Sequence, residues 1–257
     1  MENYFTDKEF KISYDKFFNA YMLSSKANKK PIAYMILGQP GSGKSFFSNT
    51  LLSFTNKDFC YIDGDYFRKY HPNSELLYLL FGDESVLKKN AFVNAMVEKI
   101  IIELSIKKRN LLIQGTLRSL DVFFNTVDIL KRMGYYIAII VIATKPMISY
   151  SSSICRYERM VYYGLYPRKI YENLHNQIAY SISDKIDYIY KFHNLFDNFV
   201  VYNRFQECIF SSSYKIRNPA SCISETLFCG WKCDEIKELD RIKYEIDCYK
   251  ENKVVYI

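Results

Sequence analysis

The run Gly38-Gln39-Pro40-Gly41-Ser42-Gly43-Lys44-Ser45 has the spacing G-x-x-x-x-G-K-S. An apolar run, Ile32 to Leu37, precedes it and a helix-forming run, Phe46 to Leu52, follows. Between a strand and a helix this spacing binds nucleotide phosphates. Glycines let backbone N–H groups approach the phosphates, and the helix N-terminus adds partial positive charge. Lys44 is expected to reach the β- and γ-phosphates, and the Ser45 hydroxyl to ligate Mg²⁺. Nucleotide contacts are therefore expected at Gly38, Gln39, Pro40, Gly41, Ser42, Gly43, Lys44, Ser45 and Phe46. The competing reading is a glycine-rich turn that matches by chance, in a chain with only nine glycines. The Asn-Lys-x-Asp run of GTPase switches is absent, and the ligands expected are ATP or GTP with Mg²⁺.

Other polar groups fall at the ends of apolar runs. Tyr61-Ile62-Asp63-Gly64-Asp65 puts two acids at a strand's carboxyl end, where open α/β sheets bind ligands. Two acids flanking a glycine repel unless a cation or a proton offsets them. One could hold Mg²⁺ through water, with Asp63 the candidate beside Ser45, and the other could take a proton from an acceptor hydroxyl. An Asx turn with both acids in water is the alternative. Glu98 falls in a stripe with Leu87, Ala91, Ala95 and Ile102 at i+3 and i+4 steps, either at its rim or in a ligand pocket. Gln114-Gly115-Thr116-Leu117-Arg118 ends a third run. Arg156, Glu158 and Arg159, then Pro167-Arg168-Lys169, suit a lid over a transferring phosphate or a solvated basic face.

The elements that must position these residues are short apolar runs: Ile32 to Leu37, Phe59 to Asp63, Leu111 to Gln114, Ile137 to Ala143 and Phe199 to Tyr202. They are continuous rather than alternating, as a parallel sheet covered by helices on both faces requires. The fold class is α/β, a P-loop NTPase-like sheet. Helices are expected over Ser85 to Ile106 and Asp121 to Met133, with Gly134 closing the second. Pro146 and Pro167 are placed to start two more, with Gly164 ending the first of them. Ser211 to Ser213 and Asn218-Pro219 mark a loop before a charged last helix, about Ser221 to Lys250. One domain is expected over 1–257, with a core of about 30–205 and a helical tail of about 206–257.

The 257 residues are 49% hydrophobic and 25% charged, which excludes disorder and fibrous repeats. Aromatics reach 17%, with 24 Tyr and 19 Phe. A net charge of +7 permits a phosphate-bearing partner. The basic residues are scattered, so no nucleic-acid surface is expected. No signal peptide opens the chain, and the run Tyr135 to Ala143 is too short to span a bilayer, so a cytoplasmic protein is expected. Seven cysteines without zinc-site spacing are expected as reduced thiols.

The chain resembles the zeta toxins of epsilon/zeta toxin–antitoxin systems, which are UDP-N-acetylglucosamine kinases. The resemblance rests on the phosphate loop, on Tyr61 to Arg68 with His71-Pro72, and on Gly115-Thr116-Leu117-Arg118 with Asp121-Val122. It continues through Ile142 to Pro146, Ser149-Tyr150, and Arg156-Tyr157-Glu158. Phe5 to Lys8, Leu227-Phe228 and Gly230-Trp231 extend it toward both ends. It implies transfer of the γ-phosphate of ATP or GTP to the 3′-hydroxyl of the amino sugar, blocking cell-wall precursor synthesis in a bacterial cytoplasm. It further implies a small helical antitoxin that occludes the nucleotide site. By position, Asp65 matches the catalytic base, Lys44 and Ser45 the phosphate and Mg²⁺ contacts, and Arg156 and Arg168 the lid arginines, with Lys169 the fallback for Arg168. Glu98, Thr116, Arg118 and Thr126 match the sugar-nucleotide pocket. One departure stands out: the family carries Glu-Gly-Thr where this chain has Gln114-Gly115-Thr116. Gln keeps the reach of Glu, loses its charge and gains a donor. Two other readings remain: a P-loop kinase of another small-molecule or nucleic-acid hydroxyl, and an attenuated nucleotide-binding interaction protein.

Overall fold

The five apolar runs form strands β1 (Ile32–Leu37), β2 (Cys60–Asp63), β3 (Leu111–Gly115), β4 (Tyr136–Ala143) and β5 (Asn198–Asn203) of a computed structural model that describes residues 4–55, 58–214 and 217–251. The sheet order is β2-β3-β1-β4-β5-β6. The first five strands pair in parallel, and β6 (Cys208–Ser211) adds an antiparallel edge. β1 lies between β3 and β4, so the chain leaves it toward one side of the sheet and later crosses to the other. That reversal opens a crevice at the carboxyl ends of the strands, the place where such sheets bind ligands.

The helices are α1 (Asp7–Ser24), α2 (Lys44–Phe54), α3 (Gly64–Arg68), α4 (Ser74–Phe81), α5 (Ser85–Lys88), α6 (Asn90–Ile106), α7 (Leu120–Arg132), α8 (Pro146–Tyr162), α9 (Glu172–Tyr190), α10 (Pro219–Phe228) and α11 (Cys233–Lys250). Successive strand residues face opposite ways. Ala33, Met35 and Leu37 of β1 join a core with residues of α1, α6, α7, α9 and α10, while Ile36 joins Phe47, Leu51 and Leu52 of α2 on the other face. A third apolar cluster lies between α8 and α11, built on Ile148, Cys155, Leu239, Ile242, Ile246 and Tyr249. Among the described residues no helix is long and apolar enough to cross a membrane.

Several expected boundaries are corrected. The helix expected from Pro167 begins at Glu172, and Pro167 to Tyr171 is an irregular link between α8 and α9 that ends with Tyr171 in an extended conformation. The tail is not wholly helical, since β6 pairs with β5, and its charged helix is two helices separated at Gly230. The helix expected over Ser85 to Ile106 is broken at Lys89. α1 adds a helix with a capping box, Thr6 and Glu9 each bonding the other's backbone N–H.

Candidate active site

The phosphate loop bridges β1 and α2. Gly41 has φ +75°, and a Cβ there would lie 1.9 Å from the Ser149 carbonyl oxygen, so only glycine lets the loop rest on α8. Beneath the loop, Gln39 Nε2 donates to Thr144 O at 2.5 Å and to Ser149 Oγ at 3.4 Å, and Ser149 Oγ bonds the buried His175 ring at 2.9 Å. Thr144 Oγ1 donates to Ser42 O at 2.8 Å. Lys44 is buried and donates to Gly38 O at 2.8 Å and Gln39 O at 2.7 Å. Burial pushes its ammonium down to about 7, against the pull of Asp65.

Two carboxylates lie beside this loop in different surroundings. Asp63 caps α3, accepting from Asp65 N at 2.9 Å. Its Oδ2 accepts from Gln114 Nε2 at 3.0 Å and from the Tyr61 hydroxyl at 3.2 Å. Burial and then the charge of Asp65 raise its pKa. Asp65 carries an ion pair with Arg168 on Oδ1, Arg68 Nε at 3.8 Å, and Arg156 Nη1 3.8 Å from Oδ2. Burial alone would raise its pKa, but Arg168, Arg156, Arg68 and Lys44 outweigh it and hold it below the usual carboxylate value. Its side chain keeps 35% of its surface open to the crevice. Arg118 joins the group electrostatically, since its charge acts with those of Arg168 and Asp65.

Gln114 links the loop to the acids. Its Oε1 accepts from Ser45 Oγ at 3.4 Å, Ser48 Oγ at 3.3 Å and Tyr61 OH at 3.1 Å, while its amide donates to Asp63. The Ser45 hydroxyl and the Asp63 carboxylate with this amide oxygen form a set of hard oxygen ligands, the kind Mg²⁺ takes. Asp63 already accepts three hydrogen bonds, which suits contact through water better than direct ligation.

The structure thus brings together Lys44, Ser45, Asp63, Asp65, Gln114, Arg118, Arg156 and Arg168. It separates others. Glu98 is exposed and lines a shallow groove with Phe10, Ala95, Lys99, Ile102 and Glu103, making no hydrogen bond or ion pair with the Asp65 cluster. The stripe that contained it is the wrong face of the helix: Leu87 and Ala91 are exposed, and Phe92, Val93, Met96 and Ile100 are buried instead. Thr126 is spent on Val122 O of its own helix at 2.8 Å. Thr116 is half-buried beside Leu117, and Phe46 is exposed on α2.

Residues 19–215 match the family model described as Zeta toxin. The chain belongs to the zeta toxin family. It is 32% identical to Toxin PezT of Streptococcus pneumoniae serotype 4 over 229 residues, 88% of this chain and 90% of that one. It is 31% identical to Toxin zeta of Streptococcus pyogenes over 226 residues, 87% of this chain and 77% of that one. Among solved structures, one from a study of the PezAT chromosomal toxin–antitoxin system of Streptococcus pneumoniae superposes with a TM-score of 0.85 at 29% identity, covering 98% of this chain and 100% of that one. A complex of AvrRxo1-ORF1 and ORF2 with ATP shares the fold at TM-score 0.64 and 13% identity, covering 96% of this chain and 86% of that one.

Within this zeta toxin fold, several residues to which the sequence assigns no role support the site. Tyr61 and Ser48 hold Gln114. Arg68 donates to Val86 O and to Asn90 Oδ1, crossing from α3 to the start of α6. Lys185 of α9 donates to Leu117 O at 3.0 Å and Arg118 O at 3.3 Å, holding a loop in which Leu117 has φ +52°. Arg204, directly after β5, donates to Gly41 O. Its place at a strand's carboxyl end was the one available signal.

Proposed function

We propose that this zeta toxin family member is a kinase that moves the γ-phosphate of ATP or GTP to the 3′-hydroxyl of the amino sugar in UDP-N-acetylglucosamine. The observation that carries this reading is Asp65 in the crevice beside Lys44, paired with Arg68, Arg156 and Arg168 and within the electrostatic reach of the exposed Arg118. One carboxylate to receive a hydroxyl proton, among so many cations, suits an acceptor and a donor that both bear phosphates.

In this mechanism the loop amides and Lys44 bind the donor's phosphates. Ser45, with Asp63 through water, would hold Mg²⁺, which neutralises phosphate charge when bound. The acceptor oxygen bonds to the γ-phosphorus, the bond to the β-phosphate oxygen breaks, and the hydroxyl proton passes to Asp65. An incoming γ-phosphoryl group competes with Asp65 for Arg156 and Arg168. As they turn to the phosphoryl oxygens, Asp65 loses the cations that depress its pKa and becomes a better proton acceptor. The lid arginines therefore both stabilise the transferring group and release the base.

The acceptor is supported by the resemblance of Thr116, Arg118 and their neighbours to the family's pocket. A different acceptor hydroxyl is favoured by one observation, the neutral Gln114 at the family's glutamate position. The same reading places the protein in a bacterial cytoplasm, starving cell-wall synthesis of precursor, with a small helical antitoxin as its partner. Support for that partner comes from the toxin–antitoxin system to which PezT belongs.

The test is ADP or GDP release with Mg²⁺ and UDP-N-acetylglucosamine, with mass spectrometry of the sugar nucleotide. Asp65→Asn is expected to slow transfer by about 10²-fold or more while retaining nucleotide binding. Turnover unchanged in that variant overturns Asp65 as base. Greater turnover on another acceptor overturns the sugar assignment.

A further inference from the structure

The last described helix, α11, packs along α8, and a ladder of charged side chains runs beside that contact. Arg204 donates Nη1 to Gly41 O at 2.9 Å and directs Nε and Nη2 onto Glu238 Oε1, each at 2.9 Å. Glu238 also accepts from Arg241, Nε to Oε2 at 2.9 Å and Nη2 to Oε1 at 3.1 Å. Arg241 donates to Glu245, whose Oε2 lies 3.4 Å from Cys155 Sγ. The ladder starts on the phosphate loop and ends one residue from Arg156. Arg204 and Glu238 each keep only 17% of their side-chain surface exposed, so this is a shielded pair whose broken half would be left stranded.

The contact on Gly41 has a direct effect on the loop. In a trans peptide the C=O and N–H point opposite ways. Holding the Gly41 carbonyl on Arg204 therefore turns Ser42 N–H to the other side. There it donates to Gln39 O at 3.2 Å, an acceptor it shares with Lys44 Nζ, and both donors would turn from it to an arriving phosphate oxygen. Ser42 N–H and the Lys44 ammonium thus share the inner side of the loop, where phosphate oxygens bind.

We propose that Glu238 is a positioning residue for the nucleotide: by clamping Arg204 it sets the Gly41–Ser42 peptide so that Ser42 N–H faces the phosphates, which makes α11 part of the nucleotide site. The inference rests on the phosphate loop binding a nucleoside triphosphate, as proposed above, and not on the identity of the acceptor.

The test measures the dissociation constant of Mg·ATP by calorimetry on the full chain, with the melting temperature of every variant. Glu238→Ala and Arg204→Ala are each expected to weaken binding about tenfold. The double variant should be no weaker than Arg204→Ala alone, because both act through one peptide. Glu238→Gln, which keeps an acceptor oxygen for Arg204, should fall between wild type and Glu238→Ala. Ile246→Ala removes apolar packing between α11 and α8 without touching the ladder. It should lower the melting temperature at least as far while leaving affinity within about twofold of wild type. Wild-type affinity in Glu238→Ala overturns the proposal, as does an equal loss of affinity in Ile246→Ala. Wild-type protein that binds neither Mg·ATP nor Mg·GTP overturns this proposal and the kinase reading together. Protein that binds Mg·ATP with the expected variant pattern but phosphorylates no acceptor overturns the kinase reading alone.

Discussion

Gln114 donates its side-chain amide to the Asp63 carboxylate at 3.0 Å. The amide gives Asp63 a donor, whereas the family's glutamate would set a second carboxylate against an acid whose pKa burial and Asp65 already raise. Gln114→Glu is expected to destabilise the metal-free protein by roughly 1 kcal/mol, a fall of about 2–4 °C in melting temperature, which Mg²⁺ restores. Scanning fluorimetry with and without MgCl₂ checks this, and an unchanged metal-free midpoint contradicts it.

Lys44 ties nucleotide affinity to pH. Its ammonium, depressed to about 7 by burial, is charged below that value and neutral above it in the free protein. Phosphates favour the charged form, so binding above pH 7 must take up a proton. The dissociation constant of Mg·ATP is expected to rise between pH 7 and 9, with a slope approaching tenfold per pH unit. Calorimetry in buffers of different ionisation enthalpy should register the proton. A constant affinity across that range rules the coupling out.

Gly41 and Gly230 should differ sharply in their tolerance of alanine. At Gly41 the new methyl meets the Ser149 carbonyl at 1.9 Å, whereas at Gly230 nothing lies within 4 Å. Gly41→Ala is expected to cost about 2 kcal/mol or more and to abolish nucleotide binding. Gly230→Ala should stay within about 0.5 kcal/mol of wild type. Urea denaturation of both variants checks the contrast, and equal midpoints refute it.

His71 sets an acid limit on stability. It is buried between Phe5 and Phe92, its Nδ1 accepts from Asn73 N at 3.1 Å, and its Nε2 has no hydrogen-bond partner among protein atoms. Burial, then Lys89, lowers its pKa to about 4, against Glu9. Unfolded histidine titrates near 6.5, so between that pH and 4 the unfolded chain binds a proton that the folded chain refuses. Stability is therefore full above pH 6.5 and falls as pH drops toward 4, by up to ~3 kcal/mol. His71→Phe is expected to lose about 1 kcal/mol at pH 8, where Asn73 N–H loses its acceptor, and to show a smaller drop between pH 8 and pH 5. An identical drop in the variant would mean that other groups set the limit.

The parts legible in the sequence were those that a local run of residues determines. The five apolar runs became five parallel strands, and Gly38 to Ser45 became a loop between β1 and α2, because strand burial and loop conformation are written in contiguous residues. An i+3, i+4 series can be drawn along more than one face of a mostly apolar helix, which is how the spacing alone puts Glu98 in an apolar stripe. Only the packing of α6 against its neighbours chooses Phe92, Met96 and Ile100. Pro167 satisfies the rule for a helix start, yet Arg168 pairs with Asp65 from an irregular link. Lys185 on Leu117 and Glu238 on Arg204 join residues far apart in the chain, and no spacing rule reaches that far.

β1 stands in the centre of the sheet between two strands that come later in the chain. On the ribosome it therefore emerges with both edges bare, and neither is covered until β3 and then β4 have been made. Ser149 beneath the loop, Lys185 behind Leu117 and Arg204 on Gly41 arrive later still. A nascent chain thus carries its phosphate loop for most of translation without the supports that shape it. This order of synthesis leaves the loop incompletely shaped until the chain has been made past Arg204.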